Sequence, residues 1–256
     1  MPVDPTDDWN AHWSLYGTAA RSNPANLYRE QLIQSLLLPD VEGQRILDIG
    51  SGQGELAISL ARRLCRSEVC GLELSAKGVE RSWALANELG TDAKFFEIDL
   101  MESESCIGLD AGLATTAICS EVLEHVDHPE ELLRNARRYM APGCRVVITV
   151  PGGPRTAFDR HIGHRRHFTL ASLRATVEGS GLKLRSLQRS GFPFFNLYKC
   201  VVLARGRALI AEGESPPQAG PSALVRVVYK FFDRTFRWNL RSSPFGWQLV
   251  ALAENP

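Results

Sequence analysis

The chain has 256 residues, 44% of them apolar, with 29 Lys/Arg against 29 Asp/Glu. That suits one large domain, or one domain with a cap, around a sizeable core. The zero net charge and the lack of an uncharged run of spanning length argue against a nucleic-acid-coating or membrane-spanning protein.

The first forty residues read as a lid or helical segment, with Trp9, Trp13 and Tyr16 ahead of a helical stretch from Leu27 to Leu38. Pro24 sits just inside a plausible helix start there. From residue 41 on, the pattern alternates. Strands are expected at 45–49, 68–73, 94–98, 115–119 and 145–150, with helices at 54–66, 76–89 and 129–140. Pro129 suits the first turn of the last of these, capped by Asp127 or His128, while 101–112 reads as a loop with one helical turn. Thr169 is expected to cap a helix over 170–180 that ends at Gly181, followed by a strand at 182–190. Residues 192–240 interrupt the pattern with an aromatic stretch from Phe192 to Tyr198, an apolar helix to Ile210, a linker at 212–222 and a second helix from Ala223 to about Leu240. The last strand is expected at 246–253. Alternation of this kind implies an α/β, doubly wound, mostly parallel sheet with helices on both faces.

The six cysteines, at 65, 70, 106, 119, 144 and 200, form no C-x-x-C pair, and two lie in expected strands. Reduced core cysteines are favoured over zinc or disulfides. The acidic start, Met1 to Asp8, is unlike a signal peptide, so a cytoplasmic location is expected. Residues 1–140 hold 12 Lys/Arg and 23 Asp/Glu, a balance of −11, whereas 141–256 hold 17 and 6, a balance of +11. Such asymmetry suggests an anionic partner for the C-terminal half, or two faces that merely balance.

The stretch that carries chemistry is Arg45 to Ala57, a short apolar strand followed by Gly50, Gly52 and Gly54 and then a helical pattern. The spacing is G-x-G-x-G rather than the G-x-G-x-x-G of dinucleotide sites. Asp48 lies two residues before the first glycine. A pyrophosphate would be repelled by that carboxylate, and a ligand with an ammonium group would be attracted. S-adenosylmethionine (SAM) has an ammonium, a sulfonium and no phosphate. Glu73 ends the second strand 19 residues after Gly54, where a βαβ fold places its ribose-binding acid. Asp99 ends the third and could accept from an adenine amino group. These acids share the carboxyl edge of the sheet, where open α/β sheets bind ligands.

With these residues in place, the chain resembles the class I SAM-dependent methyltransferases, in their ubiquinone-biosynthesis-like, small-molecule branch. The resemblance rests on Leu47-Asp-Ile-Gly-Ser-Gly-Gln-Gly54, on Glu73 and Asp99, on Cys119-Ser-Glu-Val-Leu-Glu-His-Val126 and on Leu133 to Pro151 with its Ala141-Pro-Gly143 turn; it covers roughly residues 30–190. It implies that Asp48, Gly50, Ser51, Gly52, Gly54, Glu73, Leu74, Asp99, Leu100, Ser120 and Glu121 bind SAM, and its product S-adenosylhomocysteine (SAH). It also implies the Rossmann-like seven-stranded sheet of that family, with an antiparallel last strand, and an N-terminal segment packed over the cofactor as a lid, with Trp13 and Tyr16 on the acceptor side.

His125, four residues after Glu121, could take a proton from an attacking hydroxyl or amine, or could simply hold its loop. The run His161 to His167 places His164, Arg165, Arg166 and His167 where they would rim the pocket, and arginine pairs bidentately with carboxylate or phosphate. The spacing of His161, His164 and His167 could suggest a metal, but no acid or cysteine cluster completes it in sequence, so none is expected. The 192–240 insert, aromatic and basic, suits an amphiphilic acceptor, a membrane surface or a second subunit, or a helical pair that buries its own aromatics. The expected activity is methyl transfer to O, N or C of a small-molecule acceptor with a polar or anionic head and an apolar body. No nucleic acid is expected as partner, and the chain is expected to be a monomer or homodimer. The alternatives are methylation of RNA or protein, and SAM binding without turnover; Asp48 and the glycine spacing disfavour an NAD-dependent dehydrogenase.

Overall fold

In a computed structural model, residues 8–14, 23–37, 43–64, 66–102, 112–213 and 223–256 are described. Seven strands, β1 (Arg45–Ile49), β2 (Glu68–Glu73), β3 (Lys94–Glu97), β4 (Ala114–Ser120), β5 (Met140–Pro151), β6 (Lys183–Ser190) and β7 (Gln248–Glu254), form one sheet. Their order is β3-β2-β1-β4-β5-β7-β6. The first five pair in parallel, and β7 enters antiparallel between β5 and β6. The order reverses beside β1, so the carboxyl ends of β1 and β4 flank a crevice at the switch point.

The helices are α1 (residues 9–14), α2 (Pro24–Leu37), α3 (Glu55–Arg63), α4 (Ala76–Leu89), α5 (Pro129–Ala136), α6 (Ala157–His161), α7 (Leu170–Gly179), α8 (Phe194–Gly213) and α9 (Ala223–Thr235). One sheet face is covered by Leu132 and Leu133 of α5 with Leu173 and Val177 of α7. The other is covered by Ile33 and Leu37 of α2, Ala57, Ile58 and Leu60 of α3, and Leu85 of α4. The opposite face of α2, with Ala25, Tyr28 and Leu32, packs against Phe195 and Tyr198 of α8, Phe232 of α9 and Phe236.

Local chemistry explains the element ends. Ser75 Oγ accepts from Gly78 N at the start of α4, and Gly90 ends that helix in the left-handed region. Thr169 caps α7 as expected, in a capping box with Ser172. His128 holds the N-cap of α5, yet its side chain makes no capping bond. The third core helix is shorter than 129–140: after Ala136 a single 3-10 turn, Arg137–Tyr139, leads directly into β5 at Met140. The α8 helix starts at Phe194, so it takes in most of the aromatic stretch. The helix α6 was not expected, although Thr156 and Asp159 form a reciprocal capping box at its start. Leu38, most of 101–112 and most of the 212–222 linker lie outside the described residues.

Candidate active site

The apolar run Ile46 to Ile49 is buried on both faces, as a central parallel strand requires. It delivers the chain into a turn in which Gly50, Gly52 and Gly54 all have positive φ. A Cβ on Gly50 would fall 2.4 Å from Val122, and one on Gly52 would fall 2.9 Å from Trp13. Side chains there would be both strained and blocked. Ser51 N donates to Leu72 O at 2.9 Å, which ties the turn to β2.

A cavity of about 320 Å³ opens at this turn. Of the residues expected to bind SAM, Asp48, Gly50, Ser51, Gly52, Glu73, Leu74, Asp99, Leu100, Ser120 and Glu121 line it. Gly54 does not, and instead packs under Phe95 and Ser82. The buried Glu73 carboxylate accepts from Gly52 N at 2.9 Å and Ser75 N at 3.0 Å. Burial pushes its pKa up, and those backbone bonds pull it partly back. Burial, then the Glu73 and Glu55 charges, push Asp48 up to about 8. Asp99 accepts from Met101 N at 2.8 Å.

Burial raises both acids, and a bound cation would favour the ionised form of Asp48. The donor set therefore fits the SAM ammonium and ribose hydroxyls and suits no phosphate. A sign follows for pH. Below about 8 the ligand-free Asp48 carries a proton that must leave when an ammonium binds. Ligand affinity should therefore rise with pH between 6 and 7, by about tenfold per unit, where an α-amino group keeps its own proton. Calorimetry with SAH at pH 6 and 7 reads this, and Asp48→Asn should abolish the dependence; an unchanged slope in that variant would refute the assignment.

The N-terminal segment packs over the glycine turn, as a lid over the cofactor would, but Trp13, expected on the acceptor side, does not stand there. Trp13 packs against Gly52, and its indole lies by Glu73, whose pKa it lowers. Arg81 clamps the segment by hydrogen bonding to Trp13 O, and Asn10 Oδ1 accepts from Ser75 Oγ (2.8 Å) and Lys77 N (3.0 Å). Trp13 thus stands at the acid-lined end of the cavity, beside Gly52 and Glu73. Tyr16 lies outside the described residues. Trp9 and His12, on the same short helix, line the cavity as well.

The basic run is also placed differently. Arg165 pairs with the Asp127 carboxylate, and Arg166 donates to Asp127 O at 2.9 Å. Their backbone N–H groups both face Glu124 O. Neither arginine lines the cavity, so they brace the loop after β4 rather than rim the pocket. His164 and His167 do not line it either. His167 Nδ1 faces Gly153 O at 3.2 Å, so Nδ1 carries the proton and Nε2 accepts from His164 Nδ1 at 3.1 Å. Asp159, 3.8 Å from His167, is held at 3.3 Å by Lys199. The expectation that no acid joins these histidines fails in three dimensions. Asp159 with His164 and His167, and Glu124 with His125 and His164, each bring three donor atoms within 4.8 Å. The first set is closed by its own hydrogen bond and by Lys199.

His125 does line the cavity. Its ring meets Trp9 edge-on at 4.8 Å and His164 at 4.7 Å. Nδ1 is buried without a hydrogen-bond partner, and Nε2 lies 4.0 Å from the fully buried Glu124. Burial lowers His125 to about 4, against a raising contribution from the Gly163 backbone. Burial, then Glu121, raises Glu124 well above the carboxylate range. His125 is therefore neutral at pH 7, and an ionised form of either group favours that of the other.

Sequence reasoning missed Arg29 on α2, which lines the cavity and pairs with Glu121 at 3.3 Å. Glu121 accepts from Gln248 Nε2 at 2.8 Å, and among described non-glycine residues it alone has positive φ (58°). Such backbone strain clusters at ligand sites. No spacing in the chain signals this pair. Nor does any described residue of 192–240 line the cavity, because α2 stands between it and α8–α9.

A family model described as a methyltransferase domain matches residues 21–187. The chain is 31% identical over 175 residues to a ubiquinone biosynthesis O-methyltransferase of Aeromonas salmonicida (strain A449), covering 61% of this chain and 71% of that one. It is 33% identical over 115 residues to the ubiquinone biosynthesis O-methyltransferase of Paracidovorax citrulli (strain AAC00-1), covering 44% of this chain but 45% of that one. Its fold matches a geranyl diphosphate C-methyltransferase from Streptomyces coelicolor A3(2), solved with Mg2+, geranyl diphosphate and SAH, at TM-score 0.58, 18% identity, and 89% and 78% coverage. Because the matched segment spans more than half of the chain, the protein belongs to the methyltransferase-domain family, as a class I SAM-dependent methyltransferase.

Proposed function

We propose that this protein transfers a methyl group from SAM to a hydroxyl of a small amphiphilic acceptor, of the lipid or quinone type. The observation that carries the proposal is the shape of the one cavity wall the acid cluster leaves over. Past Asp48 and Glu73 it runs to Val122, His125, Val126 and Ile162, an apolar surface with the imidazoles of His12 and His125 and the Arg29–Glu121 pair. Oxygen is favoured because the curated relatives are named O-methyltransferases.

When bound, SAM supplies a methyl group already activated as a sulfonium. The chain's part is placement and proton handling. Asp48, Glu73 and Asp99 would hold the ammonium, ribose and adenine. The apolar wall would exclude water and align the acceptor oxygen with the methyl carbon. During transfer the hydroxyl proton would pass to the imidazole of His125 and leave to solvent with the product.

The anionic head expected from Arg165 and Arg166 has lost its residues, since both are engaged by Asp127. Arg165→Gln with Arg166→Gln should therefore leave the acceptor KM within about twofold. The decisive experiment supplies SAM labelled in the methyl group with hydroxylated amphiphiles, phosphorylated amphiphiles, RNA and protein. Label in the hydroxylated amphiphile supports the reading. Label in RNA or protein instead, or no transfer to any amphiphile, overturns it.

A further inference from the structure

The strongest feature outside the cavity is the outer face of α9 and the turn after it. Val227, Phe231, Trp238, Leu240 and Phe245 are each at least half exposed. They form one band. Val227 and Phe231 are helical neighbours four residues apart, and Trp238 lies seven residues, two turns, beyond Phe231. The Trp238 ring sits 6.0 Å from that of Phe194, Leu240 pairs with Phe192, and Phe245 lies 5.5 Å from Phe192. Phe232 of α9 and Phe236 of the 3-10 turn after it are instead buried against α2 and α8. The band is therefore surplus to the core.

Exposed cations accompany the band. Arg226, Lys230, Arg234, Arg237 and Arg241 lie on the same stretch, with Asp233 the one acid among residues 223–245. The Arg237 guanidinium covers the Trp238 ring at 4.8 Å from its centroid. This stretch belongs to the half of the chain that carries +11, while the half that builds the cofactor wall carries −11. Five exposed cations against one acid on this stretch favour a negative partner surface.

We propose that this face docks on an anionic lipid bilayer, with the aromatic band in the headgroup–acyl boundary and the five cations against lipid phosphates. The chemistry separates this occupant from the others. A second copy in an isologous pair would bring two sets of five like charges together. A nucleic acid would meet the cations but has no use for exposed Val227 and Leu240. A bilayer takes both, because an interfacial helix pairs an apolar face with Lys and Arg. No described helix is long and apolar enough to cross a membrane, so the contact is peripheral. The inference goes beyond the proposed reaction and stands whichever acceptor is used.

The test is co-sedimentation of the full chain with phosphatidylcholine vesicles and with vesicles containing a quarter phosphatidylglycerol, in 0.1 M salt. Binding to the anionic vesicles is expected, with weak binding to the neutral ones. Arg234→Gln with Arg237→Gln should reduce it about fivefold per charge. Phe231→Ser with Trp238→Ser should reduce it by about tenfold or more. Both pairs are exposed, so SAH affinity should be unchanged and reports that the chain is folded. Indifference to anionic vesicles overturns the proposal. So does a dimer in sedimentation velocity that Phe231→Ser with Trp238→Ser dissolves, or an oligonucleotide that outcompetes the vesicles.

Discussion

Replacing Glu73 by Ala should weaken SAM and SAH binding by roughly 2–4 kcal/mol, a factor of about 30 to 1,000. The carboxylate closes β2, and the β2–β1 register sets it beside the glycine turn, where it already accepts from Gly52 N and Ser75 N. Its remaining lone pairs would take both ribose hydroxyls. The substitution removes those bonds and also leaves two buried N–H groups unpaired, so part of the loss would come from the turn itself. Glu73→Gln separates the two contributions. It keeps an acceptor for one backbone N–H and removes the charge, and it should lose about half of the free energy with the fold retained. Affinity within twofold of the parent chain in folded Glu73→Ala would show that the ribose lies elsewhere. Asp99→Ala should lose less, because backbone groups around Leu100 can still hold adenine.

His125→Ala should lower kcat on the true acceptor by about a hundredfold while SAH affinity stays within twofold. The ring reaches the cavity from the 3-10 turn after β4, away from the acids that would hold the cofactor. The pH profile distinguishes a proton acceptor from a spacer. With its pKa held at about 4, His125 is neutral and competent at every pH above about 5. Activity that needs it unprotonated should be level from pH 6 to 8 as far as this group is concerned, and should fall only as pH drops toward 4. A variant that loses thermal stability but keeps kcat would make the residue a brace for Trp9 and His164, which meet its ring edge-on. Glu124→Gln supplies the companion result. If the Glu124 carboxyl, 4.0 Å from Nε2, steadies the imidazolium, the amide should slow turnover without changing the acceptor KM.

The parallel sheet and the acid-lined end of the crevice were legible because their signals are local. Ile46–Ile49, Gly50, Gly52 and Gly54 are contiguous, and a strand, a turn that only glycine can follow and a helix must succeed one another in that order. Parallel strands joined by right-handed crossovers then bring their carboxyl ends together, so Asp48, Glu73 and Asp99 converge without a pairing signal between them. Six of the seven strands were expected to within about two residues of where they lie. The exception, β5, starts at Met140 because it pairs with Ala114 there.

Side-chain partners across long separations were decided only by the tertiary structure. Arg165 and Arg166 read in sequence as a free cationic rim, yet the loop after β4 places Asp127 beside both. Arg29 and Glu121, far apart in the chain, meet because α2 lies along the crevice at the end of β4. The aromatic insert read as a roof, but α2 occupies that place and leaves α8 and α9 on the outside. Sequence alone determined the sheet, the glycine turn and the three acids, because backbone periodicity and strand-end position are properties of neighbouring residues. Which charges remain free, and which aromatic faces reach solvent, depends on what packs against them; that is set by the energetics of the whole core and leaves no spacing in the chain to read.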